Sequence, residues 1–149
     1  MSTQATQYKV SVSYNFVKIF KNLDSTKPPF RYPSEQPDAI KVVTFISEYL
    51  ANGWDGSLNG KNIHSENVPT DDPNWLKKVE YAQKHDLYHY HIGIPYYEIS
   101  DDYSTSEYVI HYKKIDNYHI KLVDLDYHNP MTLPKERYLE GEVDLFSNY

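Results

Sequence analysis

The chain has 149 residues, enough for one domain of ordinary size, and its lack of cysteine excludes disulfides, a thiolate nucleophile and a cysteine zinc site. Its 15 Lys and Arg residues against 21 Asp and Glu residues give a net charge of −6, which argues against a broad non-specific nucleic-acid surface. With no signal-peptide pattern and no run near the roughly 20 apolar residues that span a bilayer, we expect a soluble, cytoplasmic protein without a membrane partner.

The first half of the chain predicts one strand and one helix. Residues 8–20 alternate in part between apolar and polar side chains, which predicts a half-buried strand whose pattern breaks near Val17. The prolines within residues 24–33 predict an extended connection. Apolar residues at near-helical spacing then predict an amphipathic helix from about Glu35 to Asn52. Its apolar positions are Ile40, Val43, Ile46 and Leu50.

The second half predicts a short helix followed by three strands. Trp75, Leu76, Val79 and Ala82 mark the helix. The predicted strands are Leu87–Pro95, Tyr108–Ile115 and His119–Tyr127, joined by a loop over residues 98–106 and a turn at Asp116-Asn117. The order β-α-α-β-β-β is typical of a small α+β domain with an antiparallel sheet. We expect residues 1–149 to form a single domain.

Two histidines inside the first of these three strands are the most informative feature of the chain. Because successive strand residues point to opposite faces, His89 and His91 share one face, and Tyr88, Tyr90 and Ile92 take the other. The unperturbed pKa of histidine lies near neutrality, so such a pair suits proton transfer or metal ligation.

Three more histidines fall near the same strands: His111 within one, His119 at the start of another and His128 just after the last. A mixed metal site could combine the histidine pair with His111, Asp126 or His128. The chain has no His-Glu-x-x-His helix, and a pair at i, i+2 is a weak metal signal. The sequence therefore favours metal-free acid–base chemistry, while metal ligation and a structural role stay open.

Several short segments, in a fixed order, carry a resemblance to a known family. They are Phe45–Tyr49, Gly53, Leu58–Lys61, Trp75, His89–Ile92, Tyr108–Tyr112, Ile120–Asp124 and Asn129–Met131. Over about residues 38–131 the chain resembles the RelE/ParE superfamily of bacterial toxins, and within it the YafO-like mRNA interferases. The ends, residues 1–7 and 132–149, have no clear counterpart.

The resemblance implies a RelE-like fold, a twisted antiparallel sheet with two helices on one face and an RNA-cutting groove on the other. It implies cleavage without a metal or cofactor: a base takes the ribose 2′-hydroxyl proton, the oxygen attacks phosphorus, and an acid protonates the leaving 5′-oxygen. His89 or His91 is the expected base, His128 the acid, and Lys61, Lys113 or Lys121 the cation, with Lys121 placed among the catalytic residues. The expected substrate-binding residues are Tyr90, His111, Tyr112, Lys61, Lys113 and Tyr127.

The resemblance also implies partners: mRNA on the ribosome as substrate and an antitoxin protein as inhibitor, with no direct contact to DNA. The net negative charge favours an alternative function, a non-catalytic binding or immunity-type module that neutralises a basic partner. In a nuclease, the acidic segment over residues 136–144 is a candidate shield over the site. His64 is expected in a loop and outside the site.

Overall fold

The computed structural model of the chain describes residues 7–23, 37–56, 58–94, 96–99, 104–128 and 132–144. The helices in these ranges are α1 (Tyr14–Lys21), α2 (Asp38–Asn52) and α3 (Trp75–His85), with short 3₁₀ helices at Gly53–Asp55 and Glu136–Leu139. The strands are β1 (Lys9–Val12), β2 (Asn62–His64), β3 (Leu87–His91), β4 (Glu98–Ile99), β5 (Ser104–Thr105), β6 (Tyr108–Asp116), β7 (His119–Tyr127) and β8 (Val143–Asp144). No helix among the described residues is long and apolar enough to cross a bilayer.

Six of these strands form one mostly antiparallel sheet in the order β2-β3-β6-β7-β1-β8. The strands β3, β6 and β7 are antiparallel neighbours, which confirms the predicted meander. The first strand runs parallel to β7, so the sheet is mixed rather than purely antiparallel as predicted. The remaining pair, β4 and β5, forms a separate small sheet inside the predicted loop, whose residues 100–103 lie outside the described ranges. The coarse class, α+β, is confirmed.

The strand predicted over residues 8–20 is wrong beyond β1. The side-chain oxygen of Ser13 accepts a hydrogen bond from the amide of Phe16, and α1 begins at the residue after this cap. Such a cap satisfies an amide in the first helical turn that has no partner within the helix. Val17 and Phe20 then pack beside Phe16 against the main core. The alternating pattern therefore holds only over the four residues of β1.

The helix predicted over residues 35–52 is confirmed as α2, whose first two predicted residues lie outside the described ranges. Its buried stripe is rotated from the predicted one, because Ile46 is common to both but Ile40 is exposed. The residues that α2 buries are Val42, Phe45, Ile46 and Tyr49. The helix ends at Gly53, whose φ of 60° is a conformation that glycine adopts without strain.

The second predicted helix is confirmed as α3, but of its four marker residues only Ala82 belongs to a core cluster. Trp75 and Leu76 are exposed, whereas Ala82 is fully buried. Asp86 ends the helix in the left-handed conformation, with φ of 50°, and its amide bonds back to the last turn. The chain then enters β3 directly, which places the histidine strand beside this helix.

The sheet carries packing on both faces. On one face, α2 packs against Tyr90 and Tyr112 in the main hydrophobic core. On the other face, Ala82 of α3 joins Leu87 in a smaller cluster, and Leu87 shares its strand face with His89. The implied arrangement with both predicted helices on one face is therefore wrong, because α3 covers part of the histidine face.

Candidate functional site

The strand β3 holds His89 and His91 side by side, as its alternation predicts. Their ring centroids lie 5.9 Å apart, and both side chains line the same cavity. The strand ends at His91, before the predicted end at Pro95, which lies outside the described residues. Gly93 then turns the chain with φ of 82°. The pair therefore lies at the end of a strand, almost fully buried but lining the cavity.

His128 completes the cluster from a position just after β7. Its backbone amide donates a hydrogen bond of 2.7 Å to the carbonyl of Glu107, which fixes the turn. Its ring centroid lies 5.2 Å from that of His89 and 4.7 Å from that of His91. Each of the three rings offers one nitrogen, and these nitrogens all lie within 4.8 Å of one another. We call His89, His91 and His128 the histidine triad.

Two serines orient two of the three rings of the triad. Ser65 Oγ lies 2.9 Å from His89 Nδ1, and the Ser106 carbonyl and amide each lie 2.9 Å from His91 Nδ1. When Nδ1 of His89 donates to Ser65 Oγ, Nε2 of His89 keeps a free lone pair. In His91, Nδ1 accepts a hydrogen bond from the Ser106 amide and also lies beside the Ser106 carbonyl. The two serines therefore fix the orientation of both rings.

Burial keeps the triad neutral. Burial first, then nearby histidines and Lys61, lower the pKa of His89 to about 2. Burial is also the main reason that the pKa of His91 falls to about 4, although its bond to Ser106 opposes the shift. The pKa of His128 is lowered by burial and then by Lys61. All three imidazoles are therefore uncharged near neutral pH and can accept a proton or a metal ion.

His111 lies behind the triad rather than in the cavity. It pairs with His89 across the strands, with ring centroids 6.2 Å apart. The side chain is fully buried, and neither of its ring nitrogens has a hydrogen-bond partner. The structure thus places His111, predicted to bind substrate, outside the cavity wall and without accessible surface. Asp124, its neighbour on β7, has a pKa raised to about 6 by burial and does not line the cavity.

The triad opens onto a cavity of about 1150 Å³ with an acidic wall. Among the described residues, the charged ones in the wall are Lys61, Asp71, Asp72, Glu98 and Glu107. One ammonium group therefore stands against four carboxylates, of which Asp72 is paired with Lys78 at 2.6 Å. Tyr127 also lines the cavity and is half exposed, as expected for a residue that contacts a ligand.

Tyr90 and Tyr112 do not belong to the site, contrary to the prediction. Both are almost fully buried on the opposite face of the sheet. The ring of Tyr90 stacks on Phe45 with centroids 4.7 Å apart, and that of Tyr112 stacks on Trp54 at 5.5 Å. A strand places neighbouring residues on opposite faces, so a tyrosine next to the histidines in sequence is remote from them in space.

The structure places two of the predicted lysines, Lys121 and Lys113, outside the cavity wall. Lys121 Nζ donates to the carbonyls of Leu139 and Gly141, at 2.7 and 3.2 Å, and so fixes the C-terminal segment. Lys113 pairs with Leu87 at the far end of β3 and does not line the cavity. In the acidic segment, residues 136–144, Leu139 joins the smaller cluster with Leu87, and the segment continues into β8 at the edge of the sheet. None of these residues lines the cavity, so the segment does not shield the triad.

The sequence analysis missed the supporting residues of the site. Ser65 and Ser106 precede or follow short strands in different parts of the chain, and nothing in their spacing connects them to the histidines. The acidic wall residues likewise come from separate loops. His64, expected in a loop, ends β2 and bonds to Asp86 at 3.1 Å, outside the cavity wall. Only the pairing of β2, β3 and β6 brings these parts together.

Three neutral imidazoles at the edge of an open cavity support two kinds of chemistry. Their lone pairs can accept a proton from a substrate, or they can bind a divalent metal ion and leave a coordination position for water or substrate. Comparisons with protein-family models, with curated proteins and with solved structures gave no match for this chain.

Proposed function

We propose that this protein is an endoribonuclease, the toxin of a bacterial toxin–antitoxin pair, and a RelE-like protein over residues 38–131 that differs from the implied fold in having α3 on the histidine face. The proposal includes ribosome-bound mRNA as substrate, an antitoxin protein as inhibitor, and action in the cytoplasm. The observation that supports it is the convergence of three neutral imidazoles and one lysine on an open cavity.

The proposed step is transfer of the RNA phosphodiester to its own 2′-hydroxyl. A neutral imidazole, His91 or His89, takes the 2′-hydroxyl proton, and the oxygen forms a bond to the adjacent phosphorus. The bond from phosphorus to the 5′-oxygen breaks, and this oxygen takes a proton from His128. The products are a 2′,3′-cyclic phosphate and a 5′-hydroxyl. Lys61, which lines the cavity, stabilises the charge on the phosphorus oxygens, the role predicted in part for Lys121.

The acid in this step must carry a proton, and the environment of His128 opposes that. Burial and Lys61 both lower its pKa, so its protonated fraction grows as the pH falls below neutrality. The base requires the opposite state, which the low pKa of His91, about 4, provides over a wide range. We therefore expect cleavage to be fastest on the acid side of pH 7 and to decline as the pH rises.

The experiment that tests the proposal is inducible expression in bacteria with analysis of transcript length. The proposal expects growth arrest and truncated mRNA with the wild-type protein and neither with His128→Ala. His64→Ala is the matched control, because it removes a histidine outside the cavity wall. Purified protein should generate RNA ends that carry a cyclic phosphate. Normal growth and intact transcripts with the wild-type protein would refute the proposal.

The acidic wall favours a second candidate, a binding module for a basic partner. Glu98 and Glu107 stand beside Asp71 in the cavity, and carboxylates of this kind complement lysine and arginine side chains. A module of this kind would bind its partner through the cavity without cleaving RNA. Replacing Glu98 and Glu107 with glutamine would then abolish binding, whereas His128→Ala would not.

A further inference from the structure

We propose that the histidine triad, His89, His91 and His128, is a binding site for one divalent transition-metal ion, with Zn²⁺ as the natural probe. This inference goes beyond the proposed function, because it holds whether or not the cavity accepts RNA. The residues that carry it come from a strand end and from the turn after β7, and they converge only in the folded chain.

The geometry of the triad is close to what a tetrahedral ion needs. Three imidazole nitrogens at about 2.0–2.1 Å from a zinc ion lie roughly 3.4 Å from one another. The nitrogens of the triad are already within 4.8 Å of one another. His128 is half-buried in a turn, so its ring can close the difference without moving the sheet. The strand fixes the other two rings.

The supporting hydrogen bonds are those that metal-binding histidines make. Such a histidine donates its second ring N–H to a carbonyl, carboxylate or hydroxyl oxygen, which fixes the tautomer and directs the other nitrogen to the metal. The Ser65 hydroxyl occupies such a position 2.9 Å from His89 Nδ1, so His89 keeps Nε2 for a ligand. His91 Nδ1 lies 2.9 Å from the Ser106 carbonyl and also accepts from the Ser106 amide at 2.9 Å, and these two contacts fix the orientation of that ring.

The electrostatics of the cavity also favour a cation. A bound ion would gain from the carboxylates of Asp71, Glu98 and Glu107, which line the same cavity as the triad. With three protein ligands and an open cavity, the fourth position stays available to water or substrate, as in catalytic rather than structural zinc sites.

The test is metal binding by the full-length protein, without any activity assay. Protein stripped with EDTA is titrated with Zn²⁺ in competition with a chromophoric chelator, and with Co²⁺, whose visible absorption reports tetrahedral coordination. We expect one ion per chain and a rise in Tm on binding. His128→Gln should abolish binding, and His64→Gln, outside the cavity, should leave it unchanged.

A milder pair of variants keeps the test informative if the ligand variant fails to fold. Ser65→Ala removes the partner of His89 and should weaken Zn²⁺ affinity about 10–100-fold. Ser11→Ala is its matched control, because Ser11 makes an equivalent buried bond of 2.8 Å to His119, outside the cavity. Equal affinities of the two variants, or wild-type protein that binds no ion at chelator-competitive affinity, would overturn the proposal.

Different experimental outcomes would refute the metal site and the proposed function. If stripped protein cleaves RNA and Zn²⁺ stops it, both proposals hold, since the ion occupies the lone pairs that the base needs. If stripped protein is inactive and Zn²⁺ restores cleavage, the metal site stands and the metal-free mechanism is wrong. If the protein binds Zn²⁺ but never cleaves RNA, only the proposed function fails. Absence of binding overturns the metal site whatever the RNA assay shows.

Discussion

Replacing His111 with leucine should stabilise the protein, because the wild-type side chain is polar, fully buried and without a hydrogen-bond partner on either ring nitrogen. A buried polar group left unpaired costs about 1–3 kcal/mol. Leucine is similar in size and has no side-chain donor or acceptor, so it leaves no polar group unpaired. We therefore expect a gain of about 1–3 kcal/mol in the free energy of unfolding near pH 7.

The gain should grow in acid. Burial first, and then His128, lower the pKa of His111 from 6.5 to about 4. Between these two values the unfolded chain binds a proton that the folded chain does not, so the stability of the wild-type protein falls as the pH falls. One such proton is worth about 1.4 kcal/mol per pH unit, which amounts to about 2 kcal/mol at pH 5. The leucine variant lacks this loss.

The assay is urea unfolding followed by circular dichroism at several pH values from about 8 to 5. The curve of stability against pH should be shallower for His111→Leu than for the wild type, and the two curves should diverge below about pH 6.5. Parallel curves would show that His111 does not release its proton on folding. A variant less stable than the wild type at pH 7 would show that its nitrogens do have a partner.

Three further predictions follow from the site and the fold. His128→Ala should lower RNA cleavage about 10²–10⁴-fold with an unchanged circular dichroism spectrum, while His64→Ala stays within a few-fold of wild type; similar losses in both variants would refute the assignment. Cleavage by the wild type should slow as the pH rises above neutrality, since the acid form of His128 is lost, and a rate that rises steadily with pH would contradict that role. Ser13→Ala should cost about 1 kcal/mol of stability in urea unfolding through the lost cap of α1, and no change would show that the cap is not needed.

The elements that the sequence predicts correctly are those whose pattern reports burial over many residues. The strands β6 and β7 have nine residues each, and their predicted bounds agree with the structure to within one residue. Residues 8–20 mislead because an alternating strand of four residues is followed at once by a helix of eight. The decisive signal there is one serine cap, which a periodicity argument does not weigh.

The candidate site was predictable in part. Alternation alone places His89 and His91 together, and the position of His128 after β7 makes it a reasonable third member. The serines that orient the rings come from loops whose location depends on strand register, and register is a property of the folded sheet. The same alternation excludes Tyr90 from the site, a consequence that follows from the pattern itself: a residue between two cavity histidines points into the opposite core.

The charge of the cavity favours a cation over a polyanion. Four carboxylates in the cavity wall repel a polyanion such as RNA, and a single lysine attracts it. The repulsion opposes phosphate binding over about the Debye length, which is about 10 Å at ordinary ionic strength. A divalent cation is attracted by the same carboxylates. Neutral imidazoles can bind it without releasing a proton. An ion held by the triad would offset part of the negative charge and supply a direct ligand site for a phosphate oxygen. The acidic wall and the histidine triad therefore act in the same direction, because each favours the binding of a cation in this cavity.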